Sequence, residues 1–200
     1  MRRIYPLLVG RTFDEVADAL RESELELAEV VSCTFPGRPE PRSARWETAH
    51  GAQILRYEYL PDIELRFLAV DDPDFSFYAD ATDDIGLDAF MQTQLGPWLE
   101  SWDALRGDLS AGEHAPANRA AAAFSAATKA RDTTVDGHQE LLSAIGAASG
   151  RGRVAAAEQI IAVIRPDARA RIEAAYENAD DVELRVHLKR ARDRIDRLTL

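Results

Sequence analysis

Cysteine is nearly absent: Cys33 is the only one in 200 residues. A single thiol excludes an intramolecular disulfide and any zinc site that needs two cysteines of one chain. Lysine is almost as scarce, with Lys129 and Lys189 alone, so arginine carries the positive charge. No apolar run approaches the roughly 18 to 20 residues that cross a bilayer. Met1-Arg2-Arg3 followed by Ile4 to Gly10 imitates the opening of a secretion signal. Its apolar part holds Pro6 and Gly10 and runs straight into Arg11, so a core-packed N-terminal segment and cytoplasmic residence are expected. There is no Gly-x-Ser-x-Gly elbow and no phosphate-cradling glycine loop ending in Lys-Ser or Lys-Thr. No cofactor is expected.

What is present is acid, unevenly spread. The net charge is −11. Residues 1–112 carry 10 Arg against 22 Asp and Glu, a net of −12, and residues 113–200 carry 14 Lys and Arg against 13 acids, a net of +1. Such a balance disfavours nucleic acid and anionic membranes, which are held by Lys and Arg, and favours a basic protein partner. The split also suggests two domains, an acidic one over 1–112 and a helical one over 113–200.

The first half reads as mixed. Thr12 and Glu15 form a capping-box pattern before Phe13, Val16, Ala17 and Leu20, which predicts a helix over about 13–23. Residues 24–35 suit a strand that ends at the Pro36–Pro41 loop, and 44–49 suit another before a turn at His50-Gly51-Ala52. Leu55, Tyr57 and Tyr59 alternate with Arg56 and Glu58, then Ile63, Leu65 and Phe67 alternate with Glu64 and Arg66. Two period-2 runs this close predict an antiparallel hairpin with one buried face. Phe75, Phe77 and Ala79 suggest a further strand, and helix returns near 87–95 and from Pro97. Trp98 and Trp102, four apart, are expected to share a helical face with Leu95, Leu99 and Leu105 as core. After residue 113 the chain is alanine-rich helix, with further helices near 136–148, 152–164, 167–178 and 181–197.

Residue chemistry offers few candidate sites. Asp71, Asp72, Asp74, Asp80, Asp83, Asp84 and Asp88 fall within eighteen residues that hold no Lys or Arg. Their spacing does not fit a calcium loop, which would need a glycine at the sixth place and a distal glutamate. They fit either solvated loops and helix caps or an acidic surface for a basic partner, and the second is the sharper expectation. His50, His114, His138 and His187 are scattered without ligand spacing, so no metal site is expected from them.

Three helices open alike, at Asn118-Arg119-Ala120, Gly152-Arg153-Val154 and Leu184-Arg185-Val186, with the arginines 34 and 32 residues apart. With the stretch Arg151–Ile164, Pro166–Asn178 and Asp180-Asp181-Val182-Glu183-Leu184-Arg185, residues 116–200 resemble the HEAT-like helical repeat family. The period is shorter than the 40 to 47 of HEAT and armadillo units. A plain helical bundle is the other arrangement open to this sequence. The resemblance implies a stack of helix pairs whose surface grips another macromolecule, a scaffold or adaptor.

The fold expected is therefore α+β: an N-terminal antiparallel sheet with flanking helices, followed by an all-α HEAT-like array. The function expected is a protein-binding adaptor or antagonist docking a cationic protein through acidic residues 71–88. An immunity protein that neutralises a basic toxin is a concrete version. Two alternatives stand beside it: an enzyme with carboxylates assembled by the fold, with or without a divalent metal, and a halophile-like protein whose acids serve solubility. The oligomeric state is left open.

Overall fold

Thr12 and Glu15 close the capping box that the sequence announces: the Thr12 hydroxyl accepts from the Glu15 amide, and Glu15 accepts from the Thr12 amide at 2.8 Å. The helix so started, α1 (Phe13–Leu20), buries Phe13, Val16 and Leu20. It follows the strand β1 (Arg3–Pro6). Four strands come next, β2 (Leu25–Ser32), β3 (Pro41–Thr48), β4 (Gln53–Leu60) and β5 (Leu65–Val70), and then α2 (Asp84–Leu95). The computed structural model describes residues 3–21, 23, 25–32, 40–48, 53–70, 84–111, 113–147 and 150–199. The expected loop at Pro36–Pro41 falls mostly outside these residues. So do the turn at His50–Ala52, the strand at Phe75–Ala79, and Cys33.

The chain forms two compact units, Met1–Glu100 and Ser101–Leu200. In the first, five antiparallel strands run in the order β1-β5-β4-β3-β2. One face of the sheet carries Ala44, Trp46, Leu55, Tyr57, Tyr59, Leu68 and Val70, which join Phe13, Val16, Leu20, Met91 and Leu95 from α1 and α2 in a single core. The Phe13 ring lies 5.8 Å from Trp46 and 5.4 Å from Tyr57, in tilted and edge-on arrangements that aromatic quadrupoles favour.

The β4–β5 hairpin forms as the alternation predicts, but its burial differs. Tyr59 pairs with Arg66, so Arg66 lies on the core face. Its Nε donates to Glu40 at 2.7 Å, and its guanidinium covers the Tyr59 ring at 4.2 Å. Leu65, Phe67 and Ala69, on the opposite face, are buried as well. β5 is thus buried on both faces, and a strand buried on both faces loses the simple inside-outside alternation. Ile63 is not in the strand; Pro61–Ile63 form a single 3-10 turn that ends at Glu64 with φ 51°.

A second correction concerns the tryptophans. A 3-10 turn, Gly96–Trp98, follows α2, and Leu99 is extended at ψ 136° and bridges to Leu7. The Leu8 amide donates to the Trp98 carbonyl at 2.9 Å, and the Glu100 amide to the Pro6 carbonyl at 2.8 Å. The helix therefore breaks between the two tryptophans. Trp98 stays with the sheet unit beneath Arg11, while Trp102 opens the next helix and stacks on Phe124 at 5.4 Å.

The described residues of the second unit form six α-helices in three consecutive pairs. These are α3 (Trp102–Ala111) with α4 (His114–Ala130), α5 (Gly137–Ile145) with α6 (Arg151–Ile160), and α7 (Arg169–Glu177) with α8 (Val182–Leu198). The α3 helix lies before the compositional boundary at 112 but packs on α4 and α6. Second helices of the pairs stack on one another, α4 on α6 and α6 on α8. The buried alanines Ala120–Ala123 and Ala155–Ala157 let these backbones approach closely. At the N-terminal end of α6, a Cβ on Gly152 would lie 1.7 Å from the Leu109 carbonyl oxygen, so only glycine fits there.

Polar contacts between pairs join equivalent positions. Arg106 reaches Glu140 and the Ser125 hydroxyl faces the Gln159 carbonyl, both 34 residues apart. Arg171 reaches Gln139 and Arg151 reaches Glu183, both 32 apart. These are the two spacings of the repeated arginines. Each of those arginines turns back onto the first helix of its own pair or the end of it. Arg119 holds Asp108 at 2.8 Å, Arg153 donates to the Ile145 carbonyl at 3.2 Å, and Arg185 lies over the Tyr176 ring.

Candidate docking surface

Among the expected site residues, Asp71, Asp72, Asp74, Asp80 and Asp83 lie outside the described residues, and Asp84 begins α2 with its side chain outside them. Asp88 is described and has internal work. Its Oδ1 accepts the Tyr5 hydroxyl at 2.7 Å and pairs with the guanidinium of Arg3, a buried side chain of β1. The carboxylate remains half exposed. It ties α2 to the first strand.

A different acidic surface is present in the same unit. Among the described residues β2 is an edge strand, hydrogen-bonded only to β3. Leu25 is buried, and every later residue of the strand is exposed. The register explains which way they face. Leu27 lies opposite Trp46 and Val30 opposite Ala44, with a bulge between Leu27 and Glu29. Trp46 and Ala44 both face the core, so the extra residue brings Leu27 and Val30 to the same side, three apart instead of two. Glu26, Glu29 and Val31 take the other side, opposite Glu47, Arg45 and Ser43.

The edge is therefore both apolar and acidic. Leu27, Val30 and Val31 are 46%, 47% and 43% exposed, three of the seven large apolar residues exposed among the described ones. Edge strands commonly carry Lys, Pro or inward charges that discourage pairing; β2 has none of these, and the bulges alone interrupt it. Glu29 lies 3.8 Å from Arg45, a loose contact, while Arg45 holds Glu47 at 3.0 Å. Glu26 stands directly across from Glu47, a like-charge pairing that costs stability and that an external cation would relieve. The sequence signal for this edge was the broken alternation itself: Leu25 and Leu27 two apart, then Val30 and Val31 adjacent.

Two phenols of this unit, Tyr57 in the core and the partly buried Tyr5 packed against it, bond to carboxylates. The Tyr57 hydroxyl donates to Glu40 at 3.2 Å, and burial, with the negative charge of Glu40 adding to it, pushes its pKa well up. Tyr5 is raised by the same causes, burial first and then its bond to Asp88.

In the second unit, His138 is buried and its Nε2 has no hydrogen-bond partner among the described residues. Burial, reinforced by Arg165, lowers its pKa, against the pull of Asp167 and Asp136. An open cleft of about 520 Å³ lies between Arg131, Asp136, Gly137 and Arg165, and one of about 480 Å³ between Arg151, Asp180, Asp181 and Leu184. Among the described residues no three His, Cys, Asp or Glu side chains are placed to hold a metal ion, and no helix is long and apolar enough to cross a membrane. No protein-family model, curated protein or solved structure matches the chain.

Proposed function

We propose that this chain is a protein-binding adaptor or antagonist whose first unit docks a cationic, partly apolar protein segment. The observation that carries this reading is the open β2 edge, where Leu27, Val30 and Val31 stand beside Glu26 and Glu29. Apolar contact would supply affinity, and the acids would steer the partner and select its sign. The whole net charge reinforces it: residues 1–100 hold 9 Arg against 20 acids, −11, and residues 101–200 hold 15 of each. The acids between Asp71 and Asp84 are part of that negative total. Three stacked helix pairs with matched spacings support a HEAT-like scaffold role for the second unit. Neutralising a basic toxin is one form such antagonism takes.

The test is capture of partners from the source cells' lysate on immobilised wild type, E26K/E29K and D80K/D83K/D84K, washed at about 50 mM and about 500 mM salt, since screening lengths shrink roughly threefold between them. A protein that presents a cationic segment, held in near-equimolar amount, released by salt and lost in E26K/E29K, is the expected result. Equal retention by wild type and E26K/E29K removes β2 from the interface. Retention indifferent to salt overturns the electrostatic reading.

A further inference from the structure

The last helix presents the complement of the β2 edge. α8 packs on α6 and α7, and its opposite side is exposed among the described residues. It carries six Lys and Arg against three acids, in a chain of net −11. Arg185 and Arg192 are spent on the Tyr176 ring, and Arg192 also on Glu173. Lys189, Arg190 and Arg194 are exposed, and their side chains have no hydrogen bond or ion pair among the described residues. On the same outer side, one turn apart, Val182 is 77% and Val186 45% exposed. This side therefore presents exposed valines beside cations that have no ion pair among the described residues.

We infer that the cationic partner of the β2 edge is α8 of a second copy of this chain, giving head-to-tail self-association. This rests on the docking reading above and names its occupant. Three features match the two surfaces. Their lengths agree: eight strand residues and seventeen helical residues each span about 26 Å. Their order agrees: on the side that carries its acids, β2 runs from Glu26 and Glu29 to apolar Val31, and α8 runs from apolar Val182 and Val186 to cationic Lys189, Arg190 and Arg194. Laid antiparallel, valine meets valine and base meets acid. Their hydrogen-bonding needs agree, because an edge strand offers free carbonyls and arginine brings five donors. Pairing α8 with another α8 instead would oppose like charges. The contact joins different surfaces, so it leaves one of each free and builds rings or open chains of copies.

Sedimentation velocity of the full chain over a concentration series reads this directly. Wild type at about 50 mM salt should rise to at least twice the monomer mass and return to monomer at about 500 mM. E26K/E29K alone and K189E/R190E/R194E alone should stay monomeric. An equimolar mixture of the two should recover assembly, because each then meets a surface of opposite sign; a variant that merely failed to fold would not. A wild type that is monomeric at several hundred micromolar in low salt overturns the inference, as does assembly that survives both charge reversals. If self-association fails while the salt-released basic partner is still lost in E26K/E29K, only the identity of the occupant is overturned. If both fail, the docking reading falls with it.

Discussion

Tyr5 and Tyr57 are neutral phenols in the folded protein because burial and a neighbouring carboxylate both oppose their ionisation. In the unfolded chain they ionise near pH 10. The folded pKa lies above the unfolded one, so their contribution to stability is complete below about pH 10 and is lost as pH rises beyond it. Melting temperature should fall between about pH 9.5 and 11, and the fall should be shallower in Y5F and Y57F, each of which also loses a bond to a carboxylate of about 1.5 to 3 kcal/mol at neutral pH. His138 has the opposite sign. Its folded pKa is lowered by burial, so its contribution is complete above about 6.5 and is lost as pH falls through that value, when only the unfolded imidazole gains a proton. H138Q should flatten the acid side of the stability profile between about pH 7 and 5. An undiminished slope would place the acid sensitivity elsewhere.

At the scale of elements, the glycines separate tight packing from open helix. Gly152 abuts the Leu109 backbone, which cannot move aside without shifting α3. G152A should destabilise by about 1 to 3 kcal/mol through overpacking. Gly107, inside α3, has nothing within 4 Å of where a Cβ would sit. G107A should stabilise by about 0.5 to 1 kcal/mol by restricting the unfolded chain. Chemical denaturation of the pair checks both signs at once, and equal effects would refute the packing account. Sequence period located most elements here to within a few residues, because Thr12, Pro61, Pro166 and Asp181 mark starts locally. It failed where a tertiary bond outweighed the pattern. Leu95, Trp98, Leu99 and Trp102 are spaced for one helix, yet Leu99 leaves it to pair with Leu7, ninety-two residues earlier in the chain. Leu65 and Phe67 were legible as buried, but Arg66 on the core face was not, since its partner Glu40 is twenty-six residues away.

For the whole molecule, charge is the largest-scale feature. All of the −11 resides in residues 1–100, so self-repulsion should weaken that unit at low ionic strength. Trp46 and Trp98 lie in it and Trp102 does not. In W102F, fluorescence melts therefore follow the first unit alone. Its midpoint should rise as salt increases from about 10 to 200 mM, the range over which screening shortens the reach of exposed charges. A midpoint that does not move would mean the acids are already neutralised by local pairs of the Arg66–Glu40 kind. Sequence by itself determined the class of fold, the acidic first part, the helical second part and the 34- and 32-residue spacings, because composition, period and caps are local properties. Tertiary structure alone decided which surfaces remain open. Leu27 and Val30 share a side only because a bulge shifts one strand against its neighbour, Asp88 is drawn into an internal pair only because β1 adds beside β5, and Val182 and Val186 are exposed because α8 turns Leu184, Leu188, Ala191 and Ile195 inward. Each of these depends on which distant segments meet, and no local pattern of residues encodes that.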